Sequence, residues 1–93
     1  MQPHSLKLSP DSDLIVCIRG FSLSYNLNGY VSGVVGNLSK ACIQCPGNQN
    51  ISKFEENLEI ISLNGNFNNG DVHLHLCFAD KGCNVSDGHL EEG

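Results

Sequence analysis

Three of the four histidines in this 93-residue chain lie in its last quarter, at spacings that suit a metal site. His73 and His75 are two residues apart, and side chains two apart in a β-strand lie on the same face. His89 follows after a turn-rich stretch. Three imidazoles can hold a tetrahedral zinc ion and leave its fourth position open. The three histidines are therefore candidate zinc ligands, and the alternative is a cluster of hydrogen-bonded histidines at a surface or interface.

A hairpin decides whether His89 joins the other two histidines. Residues 84–91 follow the turn-rich stretch 81–83 and have the pattern of a return strand. If the loop has three residues, the antiparallel ladder sets His75 directly across from His89, with Cβ atoms about 5 Å apart. All three rings would then lie on one face.

A loop of only two residues, 82–83, gives a different result. His89 then turns to the opposite face, because a slip of one residue inverts every side chain. A bulge at Gly88 would restore the site, since glycine tolerates unusual backbone conformations. The spacing alone leaves both registers open.

Other side chains near the histidines have a functional and a structural interpretation. Cys77 has the same strand parity as His73 and His75, so it is either a fourth ligand or a small buried hydrophobe. Three carboxylates flank the histidines and could orient the rings or could be ordinary solvated acids: Asp71, Asp80 and Glu91.

The five cysteines are odd in number and irregular in spacing, which fits reduced thiols better than a disulfide framework. Cys42 and Cys45 have the CxxC spacing of redox and zinc motifs. They fall in a predicted strand, however, where residues three apart face opposite ways. We expect no bridges and no function for this pair.

The pattern around the histidines predicts one helix and several strands. Residues 10–12 give a helix-start signal, and an apolar stripe follows at helical spacing: Leu14, Ile18, Phe21 and Tyr25. Asn26 and the residues after it tolerate a left-handed cap and should end the helix. Strands are predicted over 30–35, 39–45, 58–67 and the histidine segment. A turn is predicted at Gly36-Asn37 and a loop at 46–50, and the stretch 51–57 is ambiguous. The fold class is α+β, a mostly antiparallel sheet with one main helix packed on it.

The composition argues against nucleic acid and membrane partners. Five basic residues are scattered among ten acidic ones, and the formal net charge is −5. Binding to a duplex relies on neutralising phosphates, so a DNA-binding domain normally has a basic stripe. No apolar stretch approaches the roughly 20 residues that span a bilayer, and there is no signal-peptide pattern. These features predict a soluble, cytoplasmic protein of one domain, residues 1–93.

Several segments together resemble the PPC family (plants and prokaryotes conserved, also called domain of unknown function 296). The resemblance is carried, in chain order, by Leu8-Ser9-Pro10-Asp11, by Gly33-Val34-Val35-Gly36-Asn37-Leu38, by 59–67, by His73-Leu74-His75 with Ala79-Asp80, and by Gly88-His89-Leu90-Glu91-Glu92-Gly93. Each segment is short, but their order and spacing cover nearly the whole chain. The combination makes the resemblance specific.

The resemblance implies a small α+β domain that assembles into homotrimers and binds zinc through His73, His75 and His89. Its biochemical role would be regulatory or unassigned. A DNA-binding regulator is the second hypothesis, because plant members of the family bind DNA. Those members use a separate AT-hook arm, and no AT-hook segment occurs in this sequence. A hydrolase using an open zinc position is the third, and no nucleophile motif supports it.

The chain departs from the family pattern at three points. Cys83 stands where the family usually has a turn glycine, and Asp87 replaces the first glycine of the GGHL signature. Both departures bear on the register of the hairpin. The chain also stops where a further strand is expected, so either the protein lacks this C-terminal strand or the chain is a fragment of a longer protein.

Overall fold

The computed structural model describes residues 3–45, 47 and 50–92, which form one helix and one antiparallel sheet. Helix α1 spans Leu14–Tyr25. The strands are β1 (Gly29–Val31), β2 (Asn37–Leu38), β3 (Ala41–Gln44), β4 (Ile51–Phe54), β5 (Leu58–Asn68), β6 (Asp71–Ala79) and β7 (Val85–Glu91). Their order across the sheet is β1-β5-β6-β7-β3-β4, and β2 also pairs with β5. The predicted α+β class is confirmed.

Helix α1 is capped by a side chain at its N-terminus and by a backbone N–H at its C-terminus. Asp13 is the N-cap, and its carboxylate accepts the Val16 backbone N–H at 3.0 Å. The start signal predicted at 10–12 was therefore placed too early, because the turn there precedes the cap. Asn26 ends the helix in the left-handed conformation, as predicted. No helix in the described part of the chain is long and apolar enough to cross a membrane.

The buried face of α1 differs from the predicted stripe at its C-terminal end. Ile15 and Ile18 are 4% and 6% exposed and join the core. Tyr25, predicted to continue the stripe, is 67% exposed and contacts Phe21 instead, with ring centroids 5.1 Å apart. The helix lies on β5 and β6.

Two predicted strands are shorter than their composition suggested. The strand predicted over 30–35 is only Gly29–Val31, and it pairs with β5. The strand predicted over 39–45 is Ala41–Gln44. The turn predicted at Gly36-Asn37 is wrong, since Asn37 begins β2, which also pairs with β5. The ambiguous stretch contains β4. The loop predicted at 46–50 falls largely on residues outside the described part.

Strand β6 is the centre of the fold because it carries apolar side chains on one face and polar ones on the other. Its buried residues Leu74, Leu76 and Phe78 alternate with the histidines. They belong to a core that, in the described part of the chain, comprises nine buried side chains: Ile15, Ile18, Ala41, Ile43, Leu58, Leu63, Leu74, Leu76 and Phe78. The core thus fixes which face of β6 the histidines occupy.

A buried hydroxyl ties the end of α1 to the turn between β5 and β6. Ser22 is 1% exposed, and its Oγ donates to the Leu27 carbonyl at 2.7 Å and accepts the Gly70 N–H at 3.1 Å. Arg19 Nε donates to the Gly70 carbonyl at 3.2 Å. These bonds satisfy backbone groups that the helix end and the turn would otherwise leave unpaired.

Ser22→Ala should destabilise the protein by about 1–3 kcal/mol, because a buried N–H and a carbonyl lose their partner. Urea unfolding measures the change. Ser24→Ala on the exposed side of the same helix is the control and should change the free energy of unfolding by less than about 0.5 kcal/mol. Equal losses in the two variants would show that the Ser22 bonds contribute nothing.

Candidate metal site

The hairpin of β6 and β7 has the three-residue loop, which was one of the two registers open from the sequence. Pairing runs without interruption from Ala79 across from Val85 to His75 across from His89. Beyond the ladder, the Asp80 N–H donates to the Asn84 carbonyl at 3.0 Å. The strands therefore place His75 and His89 on the same face.

The side chain of Asp80 holds this loop in shape. Its Oδ1 accepts the backbone N–H groups of Gly82 and Asn84, each at 2.9 Å. The bond from the Asn84 N–H is the main reason that the pKa of Asp80 lies below its ordinary value, since donors stabilise the ionised carboxylate. Asp80 was considered a partner for a histidine. It is a loop residue instead.

Cys83 closes the loop in a conformation that suits glycine. Its φ is 63°, in the left-handed region, and its N–H donates to the Asp80 carbonyl at 3.1 Å. A three-residue hairpin loop commonly ends with a residue of this kind, usually glycine. The departure from the family's turn glycine therefore strains the loop without changing its register.

Gly88 is required for a reason other than the bulge considered from the sequence. Strand β7 has no register shift against β6. A Cβ atom at Gly88 would lie 2.6 Å from the carbonyl oxygen of Gln44 on β3. Glycine therefore allows β3 to lie close against the strand that carries His89.

The side chains of His75 and His89 form the closest pair of the three predicted ligands. Their ring centroids are 5.9 Å apart, and the rings are inclined at 73°. Two imidazoles bound to one tetrahedral zinc have centroids about 5 Å apart, since each nitrogen lies about 2 Å from the metal. The observed separation is somewhat longer than this, so the rings must turn toward each other to share an ion.

His73 lies on the same face of β6 but is turned away from the pair. Its Nε2 is 3.2 Å from Asp71 Oδ2, and its side chain is 65% exposed. Within residues 3–45, 47 and 50–92, no three or more His, Cys, Asp or Glu side chains are arranged to hold a metal ion. Strand register thus brings two predicted ligands together, and the third requires a change of rotamer.

The structure adds Asp87 to the residues near the histidines. Asp87 Oδ1 is 3.8 Å from His75 Nε2, and Asp87 lies across from Cys77. Sequence reasoning missed its carboxylate, although the three-residue register already implied that residue 87 shares a face with His75 and His89. Of the flanking acids considered, Asp71 does contact a histidine.

The cysteines do not form a second candidate metal or redox site in the described part of the chain. All five cysteines are free thiols. Cys42 is buried in β3 and Cys45 follows the strand, three residues on. The CxxC spacing therefore reflects an ordinary strand and its end.

Comparisons with known proteins agree on the family and the fold. A sequence model of the Plants and Prokaryotes Conserved (PCC) domain matches residues 1–93. The solved structure of a hypothetical protein from Salmonella cholerae-suis, also called Salmonella enterica, is 26% identical with a TM-score of 0.86 over 95% of this chain. A protein from Bacteroides thetaiotaomicron, provisionally described as DNA-binding, is 21% identical with a TM-score of 0.78 over 91% of this chain. The chain spans 64% of the length of each. No curated protein matches it significantly.

Replacing Cys83 with glycine should stabilise the protein, because glycine adopts the left-handed conformation without the penalty that a Cβ imposes. We expect a gain of about 0.5–1 kcal/mol after the entropic cost of glycine in the unfolded chain. Thermal unfolding of Cys83→Gly and Cys83→Ala separates the effect of the Cβ atom from the effect of the thiol, since alanine removes the thiol but keeps the Cβ. A similar gain in the alanine variant would place the effect in the thiol.

Proposed function

Because the chain belongs to the Plants and Prokaryotes Conserved domain family, abbreviated PCC or PPC, we propose that it is a metal-binding domain in which His73, His75 and His89 hold a zinc ion. The observation that carries the proposal is the cross-strand pair of His75 and His89, with ring centroids 5.9 Å apart. Its partly exposed position on the face of the sheet away from the core lets an ion reach the rings from solvent.

The fit of the third ligand depends on Asp71. His73 lies two residues before His75 and diagonally opposite His89, where Cβ atoms are within about 7 Å of each other. To bind with the other two, the His73 ring must leave Asp71 and turn along the strand toward His75. An exposed ion pair of this kind is worth about 0–1 kcal/mol, which a metal–nitrogen bond readily exceeds.

The donor set suits zinc better than magnesium or calcium, which prefer oxygen ligands. Three histidines alone would leave a fourth position on a bound zinc ion for another ligand. The histidines must be neutral to bind, so acid should release the ion. We assign no reaction to the site, and the role that fits it is structural or regulatory.

The proposal includes assembly of the domain as a homotrimer. Strand β4 lies at one end of the sheet, so its outer hydrogen-bonding groups are not paired within the sheet. Several large apolar side chains are also exposed on the described part, among them Val35 at 99%, Val85 at 61% and Ile51 at 52%. Contacts between subunits would remove both features from water.

DNA binding is the weaker alternative, although the Bacteroides protein of similar fold is described that way. Ten acidic residues outnumber five basic ones, so phosphates would meet a repulsive field. Arg19 is also engaged, since its guanidinium pairs with Glu92. The charge distribution therefore favours a metal ligand over a nucleic acid.

The metal proposal predicts that the purified chain binds zinc at one ion per chain and that His75→Ala abolishes this binding. The reason is that His75 lies across from His89 and two residues from His73, so it is the central member of the three. Metal content after dialysis and elemental analysis provides the measurement. His4→Ala, which removes a histidine from the N-terminal segment, should leave the content unchanged. Equal zinc in the His75 and His4 variants would refute the site.

The assembly proposal predicts a mass of three chains in solution. Light scattering coupled to size-exclusion chromatography measures it, both with zinc and with a chelator. A chain that remains monomeric at high concentration in both conditions would contradict the trimer and leave the metal proposal intact.

A further inference from the structure

The carboxylate of Asp87 lies beside the proposed metal site, and within residues 3–45, 47 and 50–92 its only polar contact is with His75. Its Oδ1 is 3.8 Å from His75 Nε2, which is beyond hydrogen-bonding distance. The two side chains are 54% and 40% exposed, so no burial forces them together. An exposed pair at this distance contributes little to stability.

The separation has a different meaning if one ion lies between the two groups. Two donor atoms that are each about 2.0–2.1 Å from a tetrahedral zinc lie about 3.3 Å from each other. The observed 3.8 Å is within a small side-chain rotation of that value. The contact is to Nε2 of His75, so the carboxylate faces a nitrogen that could itself bind metal.

Strand register brings the same three groups together. Asp87 and His89 are two residues apart on β7 and share a face, and His75 lies across from His89. As they stand, no three His, Cys, Asp or Glu side chains of the described residues are arranged to hold an ion, so His75, His89 and Asp87 must turn toward a shared ion above β6 and β7. His73 reaches the same ion only after it leaves Asp71.

Resting on the zinc site proposed above, we propose that Asp87 is a further metal ligand, so that this chain binds zinc through three histidines and one carboxylate. Aspartate oxygen is an ordinary zinc ligand at about 2.0–2.2 Å. The carboxylate occupies the position that three histidines would leave open, and its charge offsets part of the charge of the ion. The family signature has glycine at this position, which offers no ligand atom, so the closed site is a feature of this chain.

A closed site has a functional consequence that a three-histidine site lacks. With four protein ligands the ion resembles a structural zinc, which holds strands together and does not bind an outside ligand. It links β6 to β7 on the face opposite the core. Zinc should therefore stabilise the hairpin and should not activate water.

Calorimetric titration of the full chain with zinc chloride tests the proposal. Asp87→Asn keeps the size of the side chain and removes its charge, and it should weaken zinc binding about 10- to 100-fold. Asp11→Asn removes the same charge from the turn before α1 and should bind as the wild type does. Asp87→Glu, which restores a carboxylate, should recover part of the lost affinity.

Cobalt provides a second readout that a merely structural role for Asp87 would not change. Azide added to the cobalt-loaded protein should leave the visible spectrum of the wild type unchanged, because no position is open. It should shift the spectrum of Asp87→Asn, in which a position has become available.

The outcomes separate this inference from the site on which it rests. If Asp87→Asn binds zinc as tightly as the wild type while His75→Ala does not bind, Asp87 is not a ligand and the histidine site stands. If azide shifts the spectrum of the wild type, the fourth position is open and the inference is wrong. If the wild type binds no zinc, both proposals fail.

Discussion

The register between β6 and β7 is the constraint on which both the core and the candidate site depend. Strand β6 alternates buried leucines with histidines. A slip of one residue in its pairing with β7 would turn the side chains of β7 to the opposite faces of the sheet. The three-residue loop prevents the slip through local bonds: Asp80 accepts two backbone N–H groups, and Cys83 takes the left-handed conformation that closes the turn. The loop tolerates the strain at Cys83 because these bonds and the paired strands hold it.

The core selects the same register independently. Leu76 lies across from Gly88, and Gly88 has no Cβ because the backbone of β3 approaches to within a distance that any side chain would block. Leu90 packs on the core one residue after His89. Along β7, Gly88 and Leu90 therefore lie on the core face of the sheet, and Asp87 and His89 lie on the opposite face. Local turn chemistry and packing agree, which is the condition for a single well-defined pairing.

Much of the fold could be predicted because its signals are local. The alternation in β6, the helical spacing of Leu14 and Ile18 and the left-handed cap at Asn26 depend on near neighbours in sequence. The errors fall where distant contacts decide. Residues 32–35 have strand-like composition, yet no strand forms there, and both β1 and β2 pair with residues of β5 that lie 20–38 positions further along the chain. Composition cannot specify a partner at that distance.

The candidate site shows the same division between local and non-local information. Parity along β6 placed His73 and His75 on one face, and the hairpin offered two registers, of which the structure has the one that adds His89. What spacing could not give is the direction of each side chain. Asp71 holds His73 toward the start of the strand, whereas Asp87 lies near His75. Both acids are two residues from a histidine along their own strand, so parity alone makes them equivalent. They differ because Asp87 also has a histidine, His75, diagonally across the ladder. Asp87 is therefore a candidate ligand, whereas Asp71 competes with the metal ion for the ring of His73.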